Sequence, residues 1–318
     1  MAPIVSTDRL AKTFDVRVKR GRVRRERRRV EAVRGVTFAV EPGEMVGYLG
    51  PNGAGKSTTI KMLTGILAPS AGDLCVAGLD PRRDRVALAR RIGVVFGQRS
   101  QLWWDLPLGD SFELLHHVYR TPPARYAANQ RDLVDMLELH EQLAVPVRQL
   151  SLGQRMKGEL VAALLHDPQV LFLDEPTIGL DVVSKHALRE GLRRLVTERG
   201  VTVLLTTHDL VDVEELCARV IIIDHGLVIY DGGLDELRAR HGRDRTLVVD
   251  LATAVPALRV PGADVVRMEG PRQWLRFDGG VTSAAAVLGA VSAQADVRDL
   301  SVEETDIDEI VRRIYAGG

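Results

Sequence analysis

The sequence predicts an α/β protein: a mostly parallel sheet core, an antiparallel β portion near its start, a helical portion in its middle and a small α+β domain at its end. Three observations lead there. Short apolar runs, among them MVGYL (Met45–Leu49), IGVVFG (Ile92–Gly97), VLFLD (Val170–Asp174), VTVLLTT (Val201–Thr207) and RVIIID (Arg219–Asp224), recur along the chain, the last three separated by helical stretches. That is the pattern of parallel strands covered on both faces. Before the first of them, VEAVRGVTFAV (Val30–Val40) alternates and runs into the turn EPGE, as antiparallel strands do. Near Gly242 the character changes to short alternating runs and an alanine-rich helix.

Composition sets the outer limits. The chain has 318 residues, 45% apolar and 27% charged, with 43 basic and 43 acidic side chains, so its overall balance indicates no polyanionic partner. Its two cysteines, Cys75 and Cys217, lie far apart, which argues against a disulfide framework and fits a reducing compartment. MAPIVSTDRL is too poor in apolar residues for a signal peptide. No uncharged apolar run approaches the roughly 18 residues a bilayer span needs. A membrane role is therefore expected to come through a partner.

Residues 1–14 read as a strand and a turn. Arg17–Arg29 holds nine Lys or Arg and one acid, which reads as a solvated loop or a short charged hairpin. Ser57–Leu63 reads as a helix stopped by Gly65 and Pro69, Leu74–Ala77 as a short strand, and Arg82–Arg91 as a basic helix. Helical period runs from Ser111 to about Leu143, broken at Pro122–Pro123, and another helix starts near Leu152. DHG (Asp224–Gly226) is a hairpin turn into LVIYDG. TLVVDL, DVVRM and RQWLRFD read as strands, Val281–Gln294 as a helix, VRDLSV as a strand and Ile307–Tyr315 as a final helix. Trp274 and Phe277, on one alternating strand, read as core rather than a ligand cage.

GPNGAGKST (Gly50, Pro51, Asn52, Gly53, Ala54, Gly55, Lys56, Ser57, Thr58) fits G-x-x-x-x-G-K-[ST] between a predicted strand and a predicted helix, the context that motif requires. The glycines let the backbone turn its N–H groups inward, the helix N-terminus adds positive potential, Lys56 supplies a full charge to β and γ phosphates, and the Ser57 hydroxyl suits Mg²⁺. A phosphate cradle alone does not separate a kinase, a GTPase or a motor. Further along, VLFLDEP puts Asp174 and Glu175 at the C-terminal end of a buried strand, the edge where open parallel sheets collect ligands. Asp174 suits Mg²⁺ coordination, and Glu175 suits a base that orients or deprotonates the attacking water.

With LSLGQ (Leu150–Gln154), about twenty residues before VLFLDEP, the chain resembles the ABC ATPases, whose signature usually reads LSGGQ. Leu152 replaces the first glycine; Ser151, Gly153 and Gln154 are kept. The resemblance covers roughly residues 4–240 and implies a P-loop NTPase fold with an antiparallel β subdomain and an α-helical signature subdomain at about 99–160. It ends where the sequence changes character near Gly242, so domains are expected at 1–242 and 243–318, with a basic insertion at about 15–30. It also implies ATP and Mg²⁺ as cofactors, and a signature that grips the γ-phosphate held by the other subunit. Gln98 resembles the Q-loop glutamine that senses Mg²⁺ and the attacking water, Gly179–Asp181 the D-loop, and His208 the switch histidine on the γ-phosphate. Phe14 lies where the family places an adenine-stacking aromatic; the alternative is a core or turn aromatic. FGQRSQLWWDLP (Phe96–Pro107), LSLGQRM and DEPTIGLDVV resemble the viologen and multidrug exporter branch of the type-2 exporter ATP-binding subunits.

The resemblance implies a head-to-tail homodimer, or pairing with a second ATPase subunit, around two ATP. It also implies a separate membrane permease contacted through Gln98–Leu106, at the cytoplasmic face of the cell membrane. Trp103 and Trp104 read either as an anchor for a permease helix or as packing within the helical subdomain. For Arg17–Arg29 the readings are a solvated insertion, a contact with anionic lipid and, least of all, nucleic acid. Rival functions are a non-transport ATPase of this family and an importer motor. The substrate carried is not written in the chain.

Overall fold

Alternating side chains carry the start of the chain into a long hairpin. The computed structural model describes residues 2–20, 24–97, 99–242, 244–304 and 307–317. In it, β1 (Val5–Arg20) and β2 (Arg24–Val40) pair antiparallel from Val5↔Val40 out to Arg20↔Arg24. The basic stretch is thus the outer part of this hairpin; Gly21, Arg22 and Val23 lie outside the described residues.

After β3 (Met45–Leu49) and α1 (Lys56–Leu63), β4 (Ala71–Val76) pairs with β1 between Val5 and Ala11 and completes a three-stranded antiparallel sheet. The basic helix α2 (Arg85–Ala89) is shorter than its sequence reading. Asp80 starts a turn instead, its carboxylate accepting from Arg82 N at 2.9 Å and its carbonyl from Arg83 N and Asp84 N. β5 (Ile92–Phe96) leads into the helical portion, α3 (Leu108–Tyr119), α4 (Pro123–Leu137) and α5 (Leu152–Leu164). The break between α3 and α4 falls where expected because Pro123 takes the first helical position, where a missing N–H costs nothing. β6 (Val170–Asp174), α6 (Val182–Arg199), β7 (Thr202–Thr206), α7 (Leu210–Leu216), β8 (Arg219–Asp224) and β9 (Leu227–Gly233) follow.

The main sheet has the order β5-β6-β7-β3-β8-β9, and its pairings from β5 to β8 are parallel. β3 and β7 are buried at every position, which is why they show no alternation. His225 and Gly226, both at positive φ, form the turn that returns the chain into β9. Core residues of both sheets pack together: Val33, Val36 and Phe38 of β2 join Val46, Tyr48, Ile221 and Ile223, with the Phe38 and Tyr48 rings 5.6 Å apart.

The chain divides into two compact units, Met1–Gly232 and Gly233–Gly318. The second starts with α8 (Leu234–His241), which the sequence reading left with the first domain and which contacts the last helix of the chain. β10 (Asp244–Leu251), β11 (Ala263–Glu269), β12 (Arg272–Asp278), α9 (Ala284–Ser292), β13 (Val297–Glu304) and α10 (Ile307–Gly317) complete it, with an antiparallel sheet in the order β11-β12-β10-β13. Leu247, Val249, Leu275 and Phe277 pack against Val287 and Val291 of α9. Trp274 corrects the sequence reading. It lies an odd number of residues from Phe277, so the strand's period of two turns it to the opposite face, where Arg267 covers its ring at 4.6 Å.

Among the described residues no helix is long and apolar enough to cross a membrane. Helix and sheet backbones approach closely at Gly93 in β5, where an added Cβ would collide with the Ala163 carbonyl oxygen of α5. Gly93→Ala is expected to cost about 1–3 kcal/mol through that overlap, read as a lower midpoint in chemical denaturation.

Candidate active site

The segment after β3 is held by two crowded glycines. A Cβ on Gly50 would lie 2.5 Å from Ile223 O of β8, and one on Gly55 would lie 2.5 Å from Ala32 O of β2. Gly55 also has φ +108 and serves as N-cap of α1 with no side-chain cap. Ala54 N bonds Pro51 O at 3.1 Å and Ala54 O accepts from Gly226 N at 3.0 Å, so the loop folds back on itself and is tied to the β8–β9 turn. α1 has no acid in its first turn. Its N-terminal N–H groups and dipole therefore face outward without an internal anion.

Lys56 enters this loop from inside. It is buried, and its Nζ donates to Gly50 O and, at 3.2 Å, to Pro51 O. Burial pulls its pKa below the usual lysine range, and the charges of Glu175 and Asp174 oppose that shift. The loop carbonyls hold the ammonium where a phosphate's oxygens would otherwise compete for it. Pro51, Asn52 and Gly53 are exposed, Thr58 is half-buried, and Ser57 opens to solvent.

Across from Ser57, β6 ends in Asp174. Its Oδ1 accepts from Ser57 Oγ at 3.3 Å and from Thr206 Oγ1 at 2.6 Å. Glu175 follows with φ +55, a left-handed backbone uncommon for a residue with a Cβ, and its N–H bonds Thr206 O at 2.9 Å. That conformation brings Glu175 Oε1 to 3.4 Å from His208 Nδ1, beyond the end of β7. Ser57, Asp174, Glu175, Gly97 and Arg99 line one cavity of about 310 Å³. Gln98 lies outside the described residues; its neighbour Gly97 donates to Asp174 O at 2.8 Å. Two hard oxygen donors, a hydroxyl and a carboxylate, beside an anion-ready helix end fit Mg²⁺, which takes one or two carboxylates and completes its shell from phosphates and water. Arg99 was not singled out by the sequence; its position directly after Gln98 was the signal available.

A second set of residues gathers elsewhere in the first unit. Ser151 caps α5 in a reciprocal box, its Oγ accepting from Gln154 N at 3.1 Å and Gln154 Oε1 accepting from Ser151 N at 3.0 Å. Asp181 caps α6, accepting from Ser184 N at 2.9 Å and Ser184 Oγ at 2.7 Å, bonds that hold its carboxyl below the usual range. A Cβ on Gly153 would collide with Ser184, which ties the two helix starts to each other. Leu152 takes the first helical position of α5, and its Cδ2 would lie 3.2 Å from a Cβ on Gly179. The substitution of leucine for glycine is thus accommodated against the segment before Asp181. Lys56, Ser57, Asp174, Glu175 and His208 come together; Ser151, Gly153, Gln154 and Asp181 come together through the two helix starts, and the turn from Glu175 to Leu180 connects the two groups. Phe14 is in β1 opposite Val30, its ring carrying Lys12 Nζ at 5.3 Å. Trp103 and Trp104 are 40% and 51% exposed, with Arg155 over the Trp104 ring, so packing within the helical portion leaves much of both rings uncovered.

Comparison with known proteins fits this geometry. Residues 33–178 match the ABC transporter family model. The chain is 35% identical over 290 residues to the daunorubicin resistance ATP-binding protein DrrA3 of Streptomyces coeruleorubidus, covering 88% of this chain and 90% of that one. It is 41% identical over 208 residues to the Nod factor export ATP-binding protein I of Paraburkholderia xenovorans, covering 65% and 67%. A dimeric ATP-binding cassette in a post-hydrolysis state, bound to ADP and Pi, superposes with a TM-score of 0.61 at 26% identity, over 72% of this chain and 98% of that one. The chain belongs to the ATP-binding subunits of ABC transporters, in the group of the type-2 exporters.

The capping box fixes how α5 starts. Ser151→Ala is expected to cost about 1 kcal/mol of stability, and Ser151→Asp, which keeps the acceptor, to restore most of it; thermal unfolding of the two variants reads the difference.

Proposed function

We propose that this chain is the ATP-hydrolysing subunit of an exporter, and that two copies, or one copy and a paired subunit, close head to tail around two ATP molecules. Family membership carries the ATPase and transport character. The observation that supports the sandwich is that, among the described residues, no hydrogen bond or ion pair joins the Ser151–Gln154 helix start to the phosphate loop; that start packs instead against Ser184 and Gly179 on either side of Asp181. Each set then needs its complement from a second chain.

In this reading the backbone N–H groups of Gly53 to Thr58 and the α1 dipole take the phosphates, and Lys56 leaves its loop carbonyls for β and γ oxygens. Ser57 and Asp174 would hold Mg²⁺, with Gln98 adjoining; the ion offsets charge on the β and γ phosphates. Glu175, preset by its left-handed backbone, takes the proton of the attacking water, while His208 hydrogen-bonds the γ-phosphate. Ser151, Gly153 and Gln154 present the α5 start to the γ-phosphate of the partner site. Phe14 stacks the adenine, worth about 1–3 kcal/mol. The nucleotide closes the dimer only through contacts that both halves make to the γ-phosphate, so phosphate loss opens it.

The exposed Trp103–Trp104 pair suits contact with a membrane permease at the cytoplasmic face, and the name of the Nod factor export relative points to export. Between Arg17 and Arg29, in the outer part of the β1–β2 hairpin, the sequence carries nine Lys or Arg against one acid, a charge density that anions relieve. Anionic lipid beside the permease is the partner this favours, at about 1 kcal/mol per cation near the surface.

Glu175→Gln tests the site. It is expected to bind ATP-Mg²⁺ and to be held as a stable dimer, with hydrolysis down by about 10²–10⁴; a variant that stays monomeric in saturating ATP-Mg²⁺ with its permease present, or hydrolyses at the wild-type rate, overturns the reading. For the hairpin, replacing the nine Lys and Arg of Arg17–Arg29 by Ser is expected to abolish salt-sensitive sedimentation with vesicles containing phosphatidylglycerol and to leave ATP turnover in detergent unchanged.

A further inference from the structure

Asp212, on α7, is fully buried, and both its oxygens are committed. Oδ2 accepts from Thr177 Oγ1 at 2.5 Å and from Thr207 Oγ1 at 3.2 Å. Oδ1 accepts from Arg189 Nε at 2.7 Å, and Arg189 Nη2 lies 2.6 Å away. Thr177 and Thr207 are themselves buried.

The placement of these partners matters more than their number. Thr177 sits two residues after Glu175, in the turn where Ile178 N bonds Glu175 O and Leu180 N bonds Thr177 O on the way to Asp181. Thr207 immediately precedes His208. Arg189 belongs to α6, the helix that Asp181 caps, and it also meets Glu215 of α7 at 2.9 Å. One carboxylate therefore ties the turn carrying Glu175, the strand end carrying His208 and the helix starting at Asp181 to a single point. None of these ties is made by a group that lines the cavity.

We propose that Asp212 is a positioning residue for ATP hydrolysis: it fixes Glu175 and His208 relative to each other by gripping Thr177 and Thr207, with Arg189 hydrogen-bonded to its other oxygen. This rests on the reading of Glu175 as the base. A left-handed glutamate persists only where its surroundings over-determine it, and Thr177 is the adjoining anchor. A small displacement of the base costs turnover far more than it costs nucleotide binding, because the phosphate loop and Lys56 are held by other bonds.

The test uses the full chain and measures kcat and KM for ATP, with nucleotide affinity by equilibrium binding of an ATP analogue in Mg²⁺. Asp212→Asn is expected to lower kcat by about tenfold or more with KM and affinity within about twofold. Thr177→Val, which removes one hydroxyl and leaves the buried Asp212–Arg189 pair in place, is expected to lower kcat by about three- to tenfold, and Thr177→Ser to restore it. Thr177→Val keeps the test decisive should Asp212→Asn not fold. Wild-type kcat in Thr177→Val, or a loss of affinity matching the loss of kcat, sinks the proposal. Glu175→Gln is the control: if it is inactive while Thr177→Val turns over normally, positioning alone is refuted. If Glu175→Gln itself turns over normally, the reading of the site falls and takes the proposal with it.

Discussion

Two backbone carbonyls, Ala32 O of one sheet and Ile223 O of the other, press on the loop after β3 so closely that only hydrogen atoms fit at Gly55 and Gly50. Everything the first unit offers to a phosphate depends on that crowding. It clamps the loop between the antiparallel and the parallel sheet, leaves α1 with an uncapped and unopposed N-terminus, and turns the Gly50 and Pro51 carbonyls toward Lys56. The clamp exists because the two sheets share one core, in which Phe38 meets Tyr48 and Val33 joins Ile223. Tyr48 reaches from that core to Thr59 of α1 at 3.3 Å, so the helix that carries Ser57 is seated by the same packing.

Around this loop the chemistry follows from strand ends. Parallel strands deliver their C-termini to one edge, and β6 and β7 deliver Asp174 and Thr206 side by side. The hydroxyl of Thr206 orients Asp174, and its carbonyl holds the N–H of Glu175. Behind them the buried charges of Asp212 and Arg189 neutralise each other, which a low-dielectric setting requires of any ionised pair. The surface of the unit is arranged differently. Ser151 and Asp181 use their side chains as helix caps, which stiffens both helix starts.

Much of this was legible in residue order. The phosphate loop, the acidic pair after β6 and the histidine after β7 announce themselves through short spacings that a strand end or a helix start imposes. The uniformly apolar strands were readable because both their faces are covered. Boundaries were less readable: α2 lost its first residues to the Asp80 turn, a competition between a carboxylate and the helix that no periodicity records. Trp274 and Phe277 are both aromatic, yet the strand's period of two sets them on opposite faces, so residue type alone does not place Trp274 in the core. Thr177, Thr207, Arg189 and Asp212 belong to no short motif. They come from different elements, and nothing local marks them as neighbours.

Residue order alone thus determined which groups could handle phosphate and water, because a glycine-rich turn, a strand-end carboxylate and a capping serine each act over a few bonds. Tertiary structure alone decided which groups face one another: that Glu175 meets His208, that Ser57 meets Asp174, and that the Ser151 helix start lies with Asp181 rather than with the phosphate loop. Those meetings depend on sheet order and on core packing between segments far apart in the chain, and such long-range contacts leave no periodic trace in sequence.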